Sequence, residues 1–191
     1  MRHPETVLRV EAERVFREAE LLHDERAVQA ALDRMSEEIR IDLAGRDVLA
    51  LCVMTGGFVV AAEVLKRLGW PVLVDYVHAT RYRGRTRGGA TLHWLREPLR
   101  CLKDRCVLLL DDILDEGHTL AGLVEYCRGK GAAEVRSAVL VQKRLEGREA
   151  VAQADYVGLE VPDRYVFGCG MDYKEHLRNL PAIYAVRDSG G

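Results

Sequence analysis

Apolar residues along this chain follow two spacings, that of a helix with one apolar face and that of a buried strand. Residues 24–43 show the helical spacing, with apolar side chains at Val28, Ala31, Leu32, Met35, Ile39 and Leu43. Continuous apolar runs predict buried strands at 48–54, 72–77, 105–110 and 135–141. Helical patterns at 58–68 and 120–128 lie between them. This alternation predicts an α/β fold, a mainly parallel sheet flanked by helices.

Composition places the chain among ordinary globular proteins. Its 191 residues suffice for one domain with a full core, and its 48% apolar and 30% charged content is typical. A net charge of -2 gives no general attraction to nucleic acid or to an anionic membrane. The N-terminus lacks the apolar core of a signal peptide, and the longest uncharged stretch, 48–62, is too short to span a bilayer. Five cysteines without metal-ligand spacing favour a reduced, cytoplasmic setting.

The most informative segment is 107–119, which reads VLLLDDILDEGHT. Asp111 and Asp112 follow a four-residue apolar run, where a buried strand would end and where open α/β sheets bind ligands. Two adjacent carboxylates can accept hydrogen bonds from a cis-diol or hold a hydrated divalent cation. Gly117 lets the backbone turn closely past a ligand, and a helix starting near His118 and Thr119 offers free amides to a phosphate. This order of parts suits a phosphorylated ribose.

An Asp-Asp pair alone does not identify a ribose site. Such a pair also fits a solvated turn or a helix-capping carboxylate, and receiver domains and some phosphatases place acidic residues at strand ends. A receiver carries its acidic pair after the first strand, and a phosphatase of the haloacid-dehalogenase type needs D-x-D-x-T, which this segment does not supply. The apolar strand before the pair and the glycine-containing helix start after it favour ligand binding.

Four blocks of the chain resemble the type I phosphoribosyltransferases. Residues 111–119, DDILDEGHT, resemble the family's phosphoribosyl-pyrophosphate motif, and 51–57, LCVMTGG, resemble the first active-site loop of its hypoxanthine-guanine branch. Lys143 follows the next strand, where the branch carries a purine-contacting lysine. Residues 161–173, VPDRYVFGCGMDY, resemble the branch's purine-clamping segment, and Arg178 falls where the branch has a pyrophosphate-binding arginine. The blocks run in family order across roughly residues 14–187.

The resemblance implies a single domain over residues 1–191, with a core at about 24–145 and a small hood from 14–22 plus 155–187. Short strands at 156–161, 165–167 and 182–186 would belong to that hood. The implied reaction is magnesium-dependent transfer of ribose 5-phosphate from phosphoribosyl pyrophosphate to hypoxanthine or guanine, which gives IMP or GMP and pyrophosphate. Its transition state should resemble an oxocarbenium ion, so the protein positions groups and charges. A homodimer or homotetramer is implied as well.

The resemblance also assigns residues to the ribose phosphate. Asp111 and Asp112 would hold the ribose hydroxyls, directly or through a magnesium ion. The 5-phosphate would bind the segment made of Asp115, Glu116, Gly117, His118 and Thr119. Asp115 matches the family's candidate general base, and it could equally cap a helix. Glu116 stands where the family has Ser or Thr; because a carboxylate repels a phosphate, we expect it to point away.

A second set of residues is assigned to the base and the pyrophosphate. Lys143 would donate to the six-position oxygen of the purine, Tyr165 would stack on the ring, and the Val166 carbonyl would accept from its edge. Without the resemblance, Lys143 would be taken for a surface charge and Tyr165 for a core aromatic. Arg178 would bind the pyrophosphate together with the backbone amides of Thr55, Gly56 and Gly57. The Asp172 carboxylate would bind a second magnesium ion, usually through water.

Residues 79–97 interrupt the alternation with five arginines and three glycines. Such a segment can be a solvated loop, an RNA-binding arm in which Tyr82 and Trp94 stack, or a lid that closes on an anionic substrate. Its place after a strand favours the lid, and the resemblance does so too, with Arg81 and Tyr82 at the branch's Ser-Tyr pair. An RNA-binding arm would support an alternative function, a regulator that senses phosphoribosyl pyrophosphate; an enzyme preferring xanthine is a further alternative.

Overall fold

The computed structural model describes residues 4–81 and 92–187, and within them the chain forms four helices and nine strands. The helices are α1 Pro4–Glu18, α2 Glu25–Leu43, α3 Gly57–Leu68 and α4 His118–Gly129. The strands are β1 Glu20–His23, β2 Val48–Met54, β3 Leu73–Arg81, β4 Leu92–Arg96, β5 Cys106–Leu114, β6 Glu134–Arg144, β7 Tyr156–Pro162, β8 Val166–Phe167 and β9 Ile183–Ala185.

The main sheet has six strands in the order β4-β3-β2-β5-β6-β7, and all of its pairs are parallel except β3 with β4. Its central strands are buried on both faces. Alternate residues of β5 point into two cores: Leu108 and Leu110 pack with α2 and α3, whereas Val107 and Leu109 pack with α4. The predicted α/β fold with a mainly parallel, helix-flanked sheet is thereby confirmed.

Helix α2 shows why the helices cover the sheet. Its buried side chains are the ones that the helical spacing selected, Val28, Ala31, Leu32, Met35, Ile39 and Leu43, together with Ser36. Asp24 caps its start by accepting a hydrogen bond from the amide of Ala27 at 2.8 Å. The opposite face is charged, so α2 lies on the sheet with one side in solvent. Across residues 4–81 and 92–187, no helix is both long and apolar enough to cross a membrane.

A second, smaller sheet has the order β1-β9-β8, with both pairs antiparallel. The Tyr184 ring joins it to α1, because it meets Phe16 edge to face at 5.2 Å and stacks on Phe167 at 5.6 Å. The prediction that 156–161 belongs with these short strands was wrong. Strand β7 instead forms the edge of the main sheet beside β6, since Tyr156 and Val161 are buried in the core on the α2 side.

The prediction of a loop over 79–97 was also wrong at both ends. Strand β3 continues to Arg81, and β4 pairs with it antiparallel. Exposure alternates along β4, and its Trp94 ring packs on Tyr126 at 4.3 Å between centroids. The glycines and arginines of the segment obscured this strand pattern in the sequence. The residues between the two strands, 82–91, which include Tyr82, lie outside the described residues.

Strand β5 is longer than its apolar run. It continues through Asp111 and Asp112 to Leu114, and it pairs with β6 as far as Gln142. The acidic pair therefore lies within the strand, because the strand continues past it. Ile113 packs against the core on one face of the sheet, and Leu114 packs in the core on the other face. Strand β6 likewise extends past its apolar run to Arg144, which places Lys143 on a strand beside Val161 of β7.

Candidate active site

The carboxyl ends of the parallel strands surround two adjoining cavities. The larger, of about 400 Å³, is lined by β5 from Asp111 onward, by the following turn to Leu120, and by Val53, Met54, Gly56, Ala79, Val139, Asp172 and Arg178. The smaller, of about 240 Å³, is lined by Asp112, Ile113, Asp115, Lys143, Tyr165, Val166, Met171 and Asp172. The two share Asp112, Ile113, Asp115 and Asp172. They can therefore hold two parts of one reacting complex.

The two residues of the acidic pair lie close together, with Asp112 buried and Asp111 partly buried. Asp112 is 8% exposed, its amide donates to Asp111 Oδ1 at 2.9 Å, and the Ile113 amide donates to Asp112 Oδ1 at 2.9 Å. Burial, followed by the neighbouring charge of Asp112, raises the pKa of Asp111 well above its ordinary value. Burial also raises the pKa of Asp112, against the opposing hydrogen bond from Asp111 and the charge of Arg178. A cation or a pair of hydroxyl donors would stabilise the ionised carboxylates and lower these pKa values.

Cys52 lies next to the pair on β2, where it is paired in register with Leu110. Burial, and then the charges of Asp111 and Asp112, raise the pKa of Cys52 to about 12. The thiol stays protonated near neutral pH and does not act as a nucleophile there. The site thus relies on the carboxylates and on the surrounding loops.

The loop after β2 packs directly on the acidic pair. The peptide bond from Met54 to Thr55 is cis, and α3 begins at Gly57 with Gly56 as its N-terminal cap. A Cβ atom on Gly56 would lie 1.8 Å from Asp112 Oδ2, so only glycine leaves room for the carboxylate. Of the three predicted amide donors Thr55, Gly56 and Gly57, only Gly56 lines either cavity.

Loop 115–119, comprising Asp115 to Thr119, leads from β5 into α4. Among the described residues no side chain caps α4, whose cap residue is Gly117 in the left-handed region at φ 81°. The first amides of the helix are thus available to an anion. A Cβ atom on Gly117 would lie 2.9 Å from the Ala152 amide nitrogen. Glycine is needed here because the backbone at Ala152 comes so close to Gly117. From the sequence we expected the close approach to be that of a ligand.

Asp115 lines both cavities and contacts Lys143, which lines the smaller one. Lys143 Nζ lies 2.8 Å from Asp115 Oδ2, and it lies 3.7 Å from Asp163 Oδ1. The Lys143 side chain is only 13% exposed, so it is not a solvated surface charge. Asp115 does not cap α4; its carboxylate is engaged with Lys143. A candidate proton acceptor and a candidate purine-contacting cation therefore form one ion pair.

Glu116 has a partner that sequence reasoning missed. Arg148 Nη1 donates to Glu116 Oε1 at 2.7 Å, and Arg148 Nη2 donates to Asp163 Oδ2 at 2.8 Å. His118 Nε2 lies 3.7 Å from the other Glu116 oxygen. Arg148 is 32 residues from Glu116, in a stretch without a motif. One signal in the sequence could have suggested such a partner: an acidic residue in a loop expected to bind phosphate needs a cation nearby.

Asp172 and Arg178 lie on one loop and contact each other. Arg178 Nη2 lies 2.9 Å from Asp172 Oδ1, and Arg178 Nη1 donates to the Gly170 carbonyl at 2.8 Å. The Glu175 amide donates to Asp172 Oδ2 at 2.8 Å. Both side chains reach the larger cavity. They are placed to hold charged oxygens or a hydrated cation beside the acidic pair.

The backbone of this loop is unusual. Four of its residues other than glycine have positive φ angles: Cys169, Lys174, Glu175 and Leu177. Such conformations cost roughly 1–3 kcal/mol each and persist where the surroundings hold them. Glu11 of α1 supplies one hold, because it accepts hydrogen bonds from Tyr173 at 3.0 Å and from Lys174 at 2.8 Å. Sequence reasoning gave Glu11 no role.

Tyr165 and Val166 border the smaller cavity with Lys143. Tyr165 is 53% exposed and meets Tyr173 edge to face at 5.6 Å, so it is not a core aromatic. Val166 is buried in β8. Arg81 ends β3, which reaches the larger cavity through Ala79, but its side chain lies outside the described residues, as does all of Tyr82.

Comparison with known proteins places these features in a family. Residues 18–176 match the model of the phosphoribosyl transferase domain. The chain is 31% identical to a hypoxanthine-guanine phosphoribosyltransferase of Streptococcus pneumoniae over 87% of its own length and 91% of the relative's, and 30% identical to the Bacillus subtilis enzyme of that name over 87% and 92%. A crystal structure of a hypoxanthine phosphoribosyltransferase from Staphylococcus aureus superposes with a TM-score of 0.83 at 25% identity, covering 90% of this chain and 94% of the other.

The burial of Asp111 generates a prediction about stability. Because its pKa is raised in the fold, the unfolded chain ionises first as the pH rises above about 3.9, and stability is lost between that pH and the raised pKa. Asp111→Asn does not titrate. We expect it to raise the unfolding temperature of the ligand-free protein near neutral pH, by about 2–4 °C for each kcal/mol gained.

The measurement is thermal unfolding of both proteins from pH 4 to pH 8, and the difference should grow with pH. Asp33→Asn is the matched control, since Asp33 belongs to a surface ion pair with Arg67 and should change little at any pH. An Asp111→Asn variant that is no more stable than the parent at pH 8 would contradict the prediction.

Proposed function

The chain belongs to the phosphoribosyltransferase family, and we infer that it is a purine-salvage enzyme that transfers ribose 5-phosphate from phosphoribosyl pyrophosphate to hypoxanthine or guanine. The products are IMP or GMP and pyrophosphate. The observation that carries this function is the pair of joined cavities, one with the acidic pair and loop 115–119, the other with Lys143 and Tyr165. The residues that they share, among them Asp112 and Asp115, lie where the two reactants would meet.

The larger cavity suits the phosphorylated ribose. Asp111 and Asp112 are acceptors for the two ribose hydroxyls, and their charge favours the positive ribose of an oxocarbenium-like transition state. The uncapped amides at the start of α4 and the Thr119 hydroxyl are donors for the 5-phosphate. As the bond from C1 of the ribose to pyrophosphate breaks, a purine nitrogen bonds to that carbon. The imidazole proton of the purine passes to the Asp115 carboxylate, which keeps the product ring neutral.

The smaller cavity suits the purine. Lys143 Nζ donates to the six-position oxygen, which hypoxanthine and guanine have and adenine lacks. Lys143 contacts Asp115 at 2.8 Å, so a purine that binds Lys143 would divide or replace that contact and leave the Asp115 carboxylate able to accept the proton. Tyr165 covers the ring, and the Val166 carbonyl accepts from the purine's edge.

The pyrophosphate would bind Arg178 and the amides of residues 55–57, near the acidic pair. The side chains for magnesium are Asp111, Asp112 and Asp172, whose hard oxygens fit this ion. The described residues contain no group of three His, Cys, Asp or Glu side chains that could hold a metal alone. Magnesium usually keeps several waters and takes substrate oxygens, which agrees with this donor set. When bound, the ion neutralises charge on the departing pyrophosphate.

Several features of the enzyme as a whole belong to the same proposal. The β1-β9-β8 sheet is the hood of a single domain. Residues 82–91, to which the predicted lid is now confined, lie outside the described residues. We place the enzyme in the cytoplasm because all five cysteines are free thiols. We propose a homodimer or homotetramer, for which the exposed Val74 and Tyr76 on β3 offer an apolar surface.

The function is tested by assaying nucleotide formation from phosphoribosyl pyrophosphate and each of hypoxanthine, guanine, xanthine and adenine, with and without magnesium. We expect turnover of hypoxanthine and guanine that requires magnesium. The double variant Asp111→Asn, Asp112→Asn should fold and should bind no phosphoribosyl pyrophosphate in calorimetry, because ribose and metal contacts are both lost. Tight binding by this double variant would refute the ribose assignment, and absence of turnover with every base would refute the enzyme.

Lys143 provides the test of base recognition. Loss of a charged hydrogen bond costs roughly 1.5–3 kcal/mol, so Lys143→Ala should lower kcat/KM for guanine and hypoxanthine by about 10- to 150-fold. Adenine should lose part of its disadvantage. Unchanged kinetics with guanine would count against the role.

Tyr165 provides the test of stacking. Tyr165→Phe keeps the ring and should retain the wild-type KM for guanine. Tyr165→Ala removes the ring and should raise this KM by about tenfold, given a stacking free energy of about 1–3 kcal/mol per base. Steady-state kinetics of the two variants measure the difference. Equal KM values would show that Tyr165 does not cover the purine.

A further inference from the structure

We propose that Arg148 is a positioning residue for loop 115–119, neutralising Glu116 beside the 5-phosphate site and tying that loop to Lys143 in the purine site. This inference rests on the proposed function and adds a residue that the family motifs do not contain. It starts from the difference between this chain and the family motif at Glu116, where a carboxylate replaces the usual hydroxyl.

Glu116 creates an electrostatic problem for this loop. A 5-phosphate carries negative charge, and a carboxylate one residue from Asp115 and Gly117 disfavours its binding by like-charge repulsion. The Glu116 side chain is 36% exposed, so water screens this repulsion only in part. The loop therefore needs a cation at Glu116 that does not itself enter the phosphate site.

Arg148 meets that need from a segment docked against the loop. The Val151 amide donates to the Glu116 carbonyl at 2.9 Å, and the backbone of Ala152 lies against Gly117. The Arg148 guanidinium reaches Glu116 at 2.7 Å with one nitrogen and Asp163 at 2.8 Å with the other. Two carboxylates, Asp163 first and Glu116 second, raise the pKa of Arg148, so the cation is permanent.

Asp163 extends the arrangement to the purine site. Its second oxygen lies 3.7 Å from Lys143 Nζ, which contacts Asp115 at 2.8 Å. Charges of alternating sign follow one another from Glu116 through Arg148, Asp163 and Lys143 to Asp115, and the chain between Asp115 and Glu116 closes these contacts into a ring. Because Asp115 and Glu116 are adjacent in the chain, the ring begins and ends on loop 115–119. Without Arg148, the Glu116 charge would act on the phosphate with less compensation, and Asp163 would compete with Asp115 for Lys143.

A double-mutant cycle tests the Glu116 arm. We expect Arg148→Ala to weaken binding of phosphoribosyl pyrophosphate by about tenfold, within the range that contacting charged pairs show. Glu116→Gln, which keeps the shape without the charge, should bind within about threefold of the parent. The double variant should also bind within about threefold, because the harm done by removing Arg148 requires the Glu116 charge. Calorimetric titration with phosphoribosyl pyrophosphate provides the dissociation constants.

Arg144→Ala is the matched control, since Arg144 lies beside Lys143 but is 69% exposed and lies 3.7 Å from Glu160, which is not a member of the ring. It should bind like the parent. A merely structural role for Arg148 predicts that the double variant is as weak as Arg148→Ala, and this result overturns the proposal. So does an Arg148→Ala variant that binds like the parent.

A second cycle tests the purine arm with kinetics. Arg148→Ala should raise the KM for hypoxanthine by about threefold while kcat changes less, and Asp163→Asn in the same chain should reverse that increase. A KM for hypoxanthine that does not respond to the Asp163 change overturns the link to Lys143. Failure of the proposed function is distinguishable: the parent itself would then turn over no purine, whereas failure of this inference leaves the parent active.

Discussion

The site depends on one constraint, the presence of two adjacent carboxylates, Asp112 buried and Asp111 partly buried, in a central strand of the sheet. Moving a carboxylate out of water is unfavourable unless hydrogen bonds or opposite charges compensate it. For Asp112 the compensation comes from the Ile113 amide at 2.9 Å and from the charge of Arg178. The close packing of Gly56 excludes water from the same carboxylate. The loop after β2 and the loop that carries Arg178 are thus placed by the needs of a single side chain on β5.

The loop that carries Arg178 places this cation near Asp112 by adopting backbone conformations that its residues disfavour. Four non-glycine residues with positive φ are uncommon in so short a stretch. They bring Asp172 and Arg178 to the cavity, and the 2.9 Å contact between these two side chains helps to keep the loop in place. Glu11 fixes the outer side of the loop from α1. Backbone strain and buried charge therefore collect at the same place, as functional sites often show.

Local patterns in the sequence predicted much of the fold, and their failures have physical reasons. Apolar runs found β2, β5 and β6, because strands buried on both faces are continuously apolar. They ended β5 too early, since a polar residue such as Asp111 stays in a strand when its neighbours continue the pairing. They did not predict that β7 joins the main sheet, because the apolar pattern of a strand does not determine which strand it pairs with. The site divides in the same way. The family motifs pointed to Lys143 and Arg178, which the structure brings to the two cavities, whereas Arg148 and Glu11 belong to no motif and find their partners 32 and 162 residues away in the chain.

Glu116 was the informative exception, because an acidic residue that violates a local rule implies a compensating group elsewhere. In a loop with a hydroxyl at position 116, the phosphate and purine ends would be joined mainly through the backbone. Here Asp115 and Glu116 each face a cation, and both cations contact Asp163. A ligand that draws Lys143 away from Asp115 alters the balance at Asp163, and through Arg148 it alters the charge beside the phosphate. On this proposal, Glu116 replaces one hydrogen bond to the phosphate with an electrostatic connection between the two cavities.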